Sequence, residues 1–362
     1  MPELVLRERP STAKVVAAFA AVYVIWGSTY LAILYAIETL PPFLMAGVRF
    51  LIAGAVLYAW AWLRGARRPT RLHWKSALIV GGLLLLGGNG GVVWSEQRVA
   101  SGLAALLVAT VPLWMVLLEW MQRDGTRPDG RTLFGVALGL VGLALLVGPN
   151  ALLGGERVDL LGAGVLVLGS LSWATGSLYA RRAPLPESPL LGTAMEMLAG
   201  GALLTLLGLA VGEAGAVDLG AVSSRSFLAL LYLIVFGSLV GFTAYTWLLG
   251  VSTPARVSTY AYVNPVVAVL LGWAFAGEPL TPRMALAAAV IVGAVAAITS
   301  GQAARRRPAM ERPETAAATA CLAQDEEAGD VAPPLAPPPA PPALEPLRQE
   351  PRVRRARAAG ED

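Results

Sequence analysis

A single cysteine, Cys321, and a single histidine, His73, occur in 362 residues. That scarcity excludes an internal disulfide framework, a zinc site of Cys and His ligands, and a Cys/His catalytic pair within one chain. Charge is scarce as well: 14% of residues are Asp, Glu, Lys or Arg, against about a quarter in an ordinary soluble domain. No GxxxxGK[ST] loop is present to cradle a nucleotide phosphate, and neither a cluster of carboxylates nor a nucleophile elbow is found. The chain therefore reads as a non-enzyme without a cofactor or metal.

Apolar residues fill the space. They make up 56% of the chain, and the mean hydropathy is +0.62, more apolar surface than a water-soluble fold can cover. Residues 302 to 362 hold nine Arg and ten Asp or Glu, leaving 19 basic and 14 acidic residues in the first 301. The net charge of +4 and pI near 9.4 call for no nucleic-acid partner, because the basic residues lie where membrane topology wants them.

A bilayer core of about 30 Å is crossed by roughly 20 apolar helical residues. Ten stretches meet that length: 15 to 37, 43 to 63, 77 to 95, 99 to 118, 132 to 148, 160 to 180, 190 to 211, 226 to 251, 257 to 276 and 284 to 300. Between them lie Pro41-Pro42, Arg67-Arg68-Pro69, Arg127-Pro128-Asp129-Gly130, Pro184-Leu185-Pro186 and Glu278-Pro279, which is turn chemistry. The first stretch is too long for a signal-peptide core and stays as a permanent helix. The fold class is thus an all-α membrane protein with ten transmembrane helices. With the N-terminus cytoplasmic, 17 Lys and Arg fall on the inner side, and only Arg98, Arg157, Arg225 and Arg283 fall outside. That bias sets both termini inside.

The body repeats. A shift of 147 aligns Trp26-Gly27-Ser28 with Trp173-Ala174-Thr175, Pro42 with Pro189, and Gly54 with Gly201. A shift of 153 sets Val111-Pro112 against Asn264-Pro265. Two units follow, 15 to 148 and 160 to 300, each of five helices. An odd number inverts the second copy, the plan of many secondary transporters. Residues 302 to 362, with eleven prolines, read as a disordered cytoplasmic tail.

Several groups are candidates for a transport cavity. Pro112 and Pro265 fall near mid-bilayer in related helices, and each removes a backbone donor. Asn89 sits in the run Gly87 to Gly91, where missing side chains permit close backbone approach. Trp26, Ser28, Trp173 and Thr175 belong to the repeated motif. Trp94, Trp114, Tyr245, Trp247, Tyr260 and Tyr262 offer flat walls for an organic solute, or belong to the interfacial belt. Arg49 and Glu196, counterparts under the shift of 147, each lie about 10 Å from their own membrane face. Buried charges are functional candidates, and these two are expected to share a water-linked network. Glu38 and Glu96 read as solvated acids at the outer mouth, and Glu119 as a headgroup-facing acid.

The motifs IWGSTY (Ile25 to Tyr30), PPFLMAGVRFL (Pro41 to Leu51), GNGGV (Gly88 to Val92), ATVPLW (Ala109 to Trp114), SLSWATGS (Ser170 to Ser177), MEMLAGG (Met195 to Gly201) and YAYVNPVVAVLLG (Tyr260 to Gly272) resemble the ten-helix EamA branch of the drug/metabolite transporter superfamily. Within it the likeness is to YedA-type bacterial inner-membrane exporters. It covers residues 15 to 300, and the acidic, Pro-rich tail departs from it. The resemblance implies two EamA repeats, a central cavity, and efflux of small metabolites or drugs, amino-acid-like solutes among them. The expected function is export of a small organic solute across the inner membrane by alternating access, with protons as candidate coupling ion. An uncoupled facilitator or exchanger, and a scaffold acting through the tail, are the alternatives.

Overall fold

The computed structural model describes residues 11–122, 128–147, 159–252, 257 and 260–310. The loop arginines Arg7, Arg9, Arg123, Arg127, Arg157 and Arg256, and the tail from residue 311, lie outside the described residues. Among those described there are helices and no strands. We number them α1 (Thr12–Ala36), α2 (Pro42–Leu63), α3 (Arg71–Gly81), α4 (Gly90–Ser95), α5 (Ser101–Val108), α6 (Val111–Met121), α7 (Gly130–Val147), α8 (Leu160–Ala180), α9 (Pro189–Ala210), α10 (Ser224–Tyr232), α11 (Gly241–Val251), α12 (Tyr260–Ala276) and α13 (Pro282–Met310).

Seven helical stretches are long and apolar enough to span a bilayer: Thr12–Ala36, Pro42–Leu63, Arg71–Ser95, Ser101–Met121, Leu160–Ala180, Pro189–Ala210 and Ser224–Tyr245. Three shorter apolar helices, Gly130–Gly142, Val263–Ala276 and Pro282–Ile298, fall where the fifth, ninth and tenth spans are expected. The last helix runs past the expected edge at residue 300 to Met310, with good helix formers from Gln302 to Arg307 and with Pro308 in its last turn.

Helix starts are written in local chemistry. Ser11, Ser188 and Ser223 accept from backbone N–H groups of α1, α9 and α10, as N-cap hydroxyls do. His73 closes a capping box with Thr70: Thr70 Oγ1 accepts from His73 N, and His73 Nδ1 accepts from Thr70 N, both at 3.3 Å. Asp159 caps α8 through Leu161 N and Gly162 N at 2.9 and 3.1 Å. The Gly162 N–H first, then the Leu161 N–H and Arg98, hold its carboxyl below the usual range.

Two helices are capped from far away in sequence. Gly212, at φ +83°, ends α9 in the left-handed conformation glycine favours. It turns the chain so that Glu213 accepts from Phe43 N (3.1 Å) and Leu44 N (2.8 Å) of α2. Gly277, at φ +66°, follows α12 and sets Glu278 over α5, where it accepts from Ser101 N (2.6 Å) and Gly102 N (3.0 Å). A carboxylate at a helix N-terminus satisfies orphan donors and the helix dipole together.

Packing depends on small residues. A Cβ on Gly54 would come within 2.9 Å of Leu198 N, and one on Gly201 within 2.9 Å of Leu51 N, so α2 and α9 approach at backbone distance, the usual route to helix association in lipid. Two spans contain eight-residue π segments, Gly82–Asn89 and Leu233–Val240, at matching places in the third and eighth. The first runs into the glycine stretch that begins at Gly87, and the second has one glycine, Gly237. The fourth span breaks between Val108 and Val111, with Pro112 in the first turn of α6. Its expected partner does not break: Pro265 lies inside a continuous α12. The lost donor there falls only in the helix's second turn, and the Asn264 amide, with its nitrogen turned to donate, reaches the carbonyls of Tyr260 and Tyr23 at 3.2 Å.

Candidate substrate site

Three spans bring four rings together. Trp26 of α1 packs against Phe242 (centroids 5.2 Å) and Tyr245 (5.1 Å) of α11 and Tyr260 (5.2 Å) of α12. Tyr245 and Tyr260 meet edge to face at 5.8 Å. The Trp26 indole N–H donates to the Gly237 carbonyl at 3.2 Å, inside the second π segment. Gly241 lies beneath the indole, so that any Cβ there would strike Trp26. Two residues on, the Ser28 hydroxyl meets Tyr232 Oη at 2.7 Å and bonds Ile25 O at 2.9 Å.

Beside this cluster lies a buried cation. Arg49, 4% exposed, donates from Nε to Ser238 Oγ at 2.9 Å, and its guanidinium stands 4.7 Å from the Phe50 ring centre. Its Nη2 is 3.0 Å from where a Cβ on Gly237 would lie, so Arg49 and Trp26 flank one residue of the π segment. Among the described residues the ion pairs are Arg67–Glu187, Arg98–Asp159, Arg181–Glu119 and Arg225–Glu38; none includes Arg49 or Glu196. Glu196 of α9 is half-buried and within electrostatic range of Tyr245. The two intramembrane charges thus have separate neighbours, and no direct bond joins them.

Other expected residues stand apart from the rings. Trp94 carries the Arg98 guanidinium 4.6 Å above its ring, at the helix end. Trp173 packs on the backbone of Gly88. Thr175 is exposed and bonds Leu171 O of its own helix at 2.8 Å. Trp114, on the far side of the break at Pro112, has a buried indole N–H without a hydrogen-bond partner among the described residues. Asn89 is half-buried at the end of the first π segment. The Tyr262 side chain lies outside the described residues.

Glu96 corrects its sequence reading. A carboxylate at a helix end was expected in water; instead it is 3% exposed, and neither oxygen has a hydrogen-bond partner among the described residues. Glu38 does sit at the surface, paired with Arg225 at 3.2 Å, and Glu119 pairs with Arg181. Glu213 and Glu278 were missed as tertiary caps. One signal was present for both: Gly-Glu directly after an apolar helix.

The sequence profile of the EamA-like transporter family matches residues 5–148 and 160–300. The chain is 44% identical over 287 residues to the inner membrane transporter YedA of Escherichia coli K12, covering 79% of this chain and 90% of that one. A probable amino-acid metabolite efflux pump of the same organism is 24% identical over 283 residues, 75% of this chain and 90% of the pump. A solved crystal structure shares the fold at TM-score 0.55 with 24% identity, covering 82% of this chain and 99% of that one.

Proposed function

Because the chain belongs to the EamA-like transporter family, we propose that it exports a small organic solute across a bacterial inner membrane by alternating access, with two inverted five-helix halves rocking about the ring cluster. The observation that carries this reading is the juxtaposition of Trp26, Tyr245 and Tyr260 with the unpaired guanidinium of Arg49 across Gly237. Rings give a solute a flat apolar bed, and a buried cation with no counter-ion among the described residues favours an anionic group on that solute. An amino-acid-like solute has both, in line with the efflux pump among the relatives. The inner-membrane location accords with YedA.

Ten spans and inverted halves draw support from the paired π segments in the third and eighth spans and from two separate family matches in one chain. Cytoplasmic termini draw support from the arginines of the sparse side. Arg98 and Arg225 are both ion-paired, and Arg283 donates to Leu145 O at 2.7 Å, which lowers the penalty of having crossed. The test is an amino-acid and toxin panel, comparing secretion and resistance in cells that lack or overproduce the protein. Trp26→Ala and Arg49→Gln should abolish any secretion gained by overproduction at unchanged membrane abundance. Full secretion by both variants would refute the site.

A further inference from the structure

The group left over by this account is Glu96. It lies buried in the turn between the third and fourth spans, within electrostatic range of Glu278 from the second half of the chain. Ser95 is tied to α8 by its hydroxyl, which donates to Gly162 O at 3.0 Å. Across from it Glu278, from the turn after α12, is fixed on the first two amides of α5, and Gly272 of α12 backs onto Glu278 and Ser101 Oγ. Ser101 Oγ, like both oxygens of Glu96, is buried without a hydrogen-bond partner among the described residues.

Among the described residues the charged and titratable groups around it offer no counter-ion. Tyr30 of α1 and Glu278 of the turn before α13 lie within electrostatic range of it. Arg98, two residues on, is taken by Asp159 at 3.6 Å and by the Trp94 ring. Arg283 of α13 bonds Leu145 O. The nearest charge on α2 is Arg49, held by Ser238, and α5 has no titratable residue. A carboxylate closed in near a fixed second carboxylate, with no donor among the described residues, is in the setting where the neutral acid is the favoured form.

We propose that Glu96 is a proton-binding site at the external end of the bundle: it holds a proton while the two halves are closed around it and releases that proton to external water when they part. The O–H bond of the acid breaks, the proton passes to water, and the hydrated carboxylate then opposes reclosure. Burial and the Glu278 charge push the Glu96 carboxyl well above the usual range, which accords with the geometry. External pH thereby sets how readily this end opens. The placement of that end outside, and the parting of the halves, rest on the transport reading; the bound proton does not.

The test therefore uses no solute. The full chain in detergent is melted across roughly pH 5 to 9, and the protonated-carboxyl infrared band is titrated over the same range. For a carboxyl raised in the folded state, stability is fully present at acid pH and is lost as pH rises through the folded-state value. Wild type should lose melting temperature on that rise together with a carboxyl band; Glu96→Gln should lack the band and lose less. Glu278→Gln should move the band's titration to lower pH, and Glu196→Gln should leave the Glu96 band in place. A Glu96→Gln protein with the wild-type band and pH profile overturns the proposal. So does sodium that restores alkaline stability to wild type but not to Glu96→Gln, because the occupant is then a metal cation. If Glu96→Gln does not fold, the Glu278→Gln titration decides, and an unmoved band refutes the site. In sealed right-side-out vesicles the band should follow external pH; following internal pH overturns the external assignment alone and leaves the bound proton standing.

Discussion

Arg49 and Glu196 show what a single charge needs in lipid. Arg49 has a hydroxyl, a ring and a glycine-lined backbone around it, which is partial compensation of the kind that lets a buried guanidinium persist. Glu196 sits elsewhere, near Tyr245. Neutralising both is therefore expected to be additive: in a double-mutant cycle of Arg49→Met with Glu196→Gln on purified protein, the coupling energy should stay below about 0.5 kcal/mol. A larger value would restore the water-linked network that depth alone suggested. The depth of both charges was legible, since apolar runs fix where a residue lies along the membrane normal. Their neighbours were not, because the rotation of each helix is set by packing. Glu96 was misread for the same reason: the end of a span is visible in sequence, and whether another loop covers that end is not. Trp26 is a further residue-scale case. Trp26→Phe keeps the ring contacts and removes the N–H donated to Gly237 O, so it should lower stability by about 1 kcal/mol in denaturation by a graded detergent series.

At the scale of elements, the apolar runs were legible, whereas the caps were not read from the sequence. The local ones, Ser or Thr before the first turn, carry a signal in the sequence itself; the distant ones do not. Glu213 is 170 residues from the amide it accepts at Phe43, and a periodicity argument has no access to such a pairing. Glu213→Ala should weaken the first turn of α2 by about 1 kcal/mol, seen as faster proton exchange at Phe43 and Leu44 with α9 unaffected. Gly212→Ala should act through the same turn, since a left-handed residue with a Cβ costs about 1 to 2 kcal/mol. If Gly212→Ala leaves that exchange unchanged, the left-handed turn does not set the cap. The paired π segments teach a related lesson. Neither was read from the sequence: the first runs into the glycine-rich stretch at Gly87, and the other, LIVFGSLV, reads as an ordinary apolar helix. Its wider register instead goes with Gly237 and Gly241, which let Arg49 and Trp26 close on the backbone, and with a carbonyl given to the indole. Those are tertiary demands.

For the whole molecule, orientation is the property on which the direction of transport and the external placement of Glu96 both depend. The opposite ends of the bundle carry different charge chemistry. One has Glu38, Glu96, Asp159, Glu213 and Glu278, with Arg98 and Arg225 ion-paired. The other has the Arg64 to Lys75 loop, where the Arg67–Glu187 pair is 88% and 85% exposed, so its charge is free to meet anionic headgroups. Translocating the basic loop is the costlier choice, and the acidic end is therefore expected outside. With Cys321→Ala as background, Gln97→Cys and Gly220→Cys, both at exposed positions of the acidic end, should react with a membrane-impermeant maleimide added to intact spheroplasts. Arg67→Cys and Glu187→Cys should react only after permeabilisation. The reverse pattern would turn the molecule over, place Glu96 in contact with the cytoplasm, and change the site's meaning from a sensor of the external proton to a sensor of the internal one. Reaction at both ends without permeabilisation would instead indicate leaky membranes, which a cytoplasmic enzyme released into the supernatant identifies.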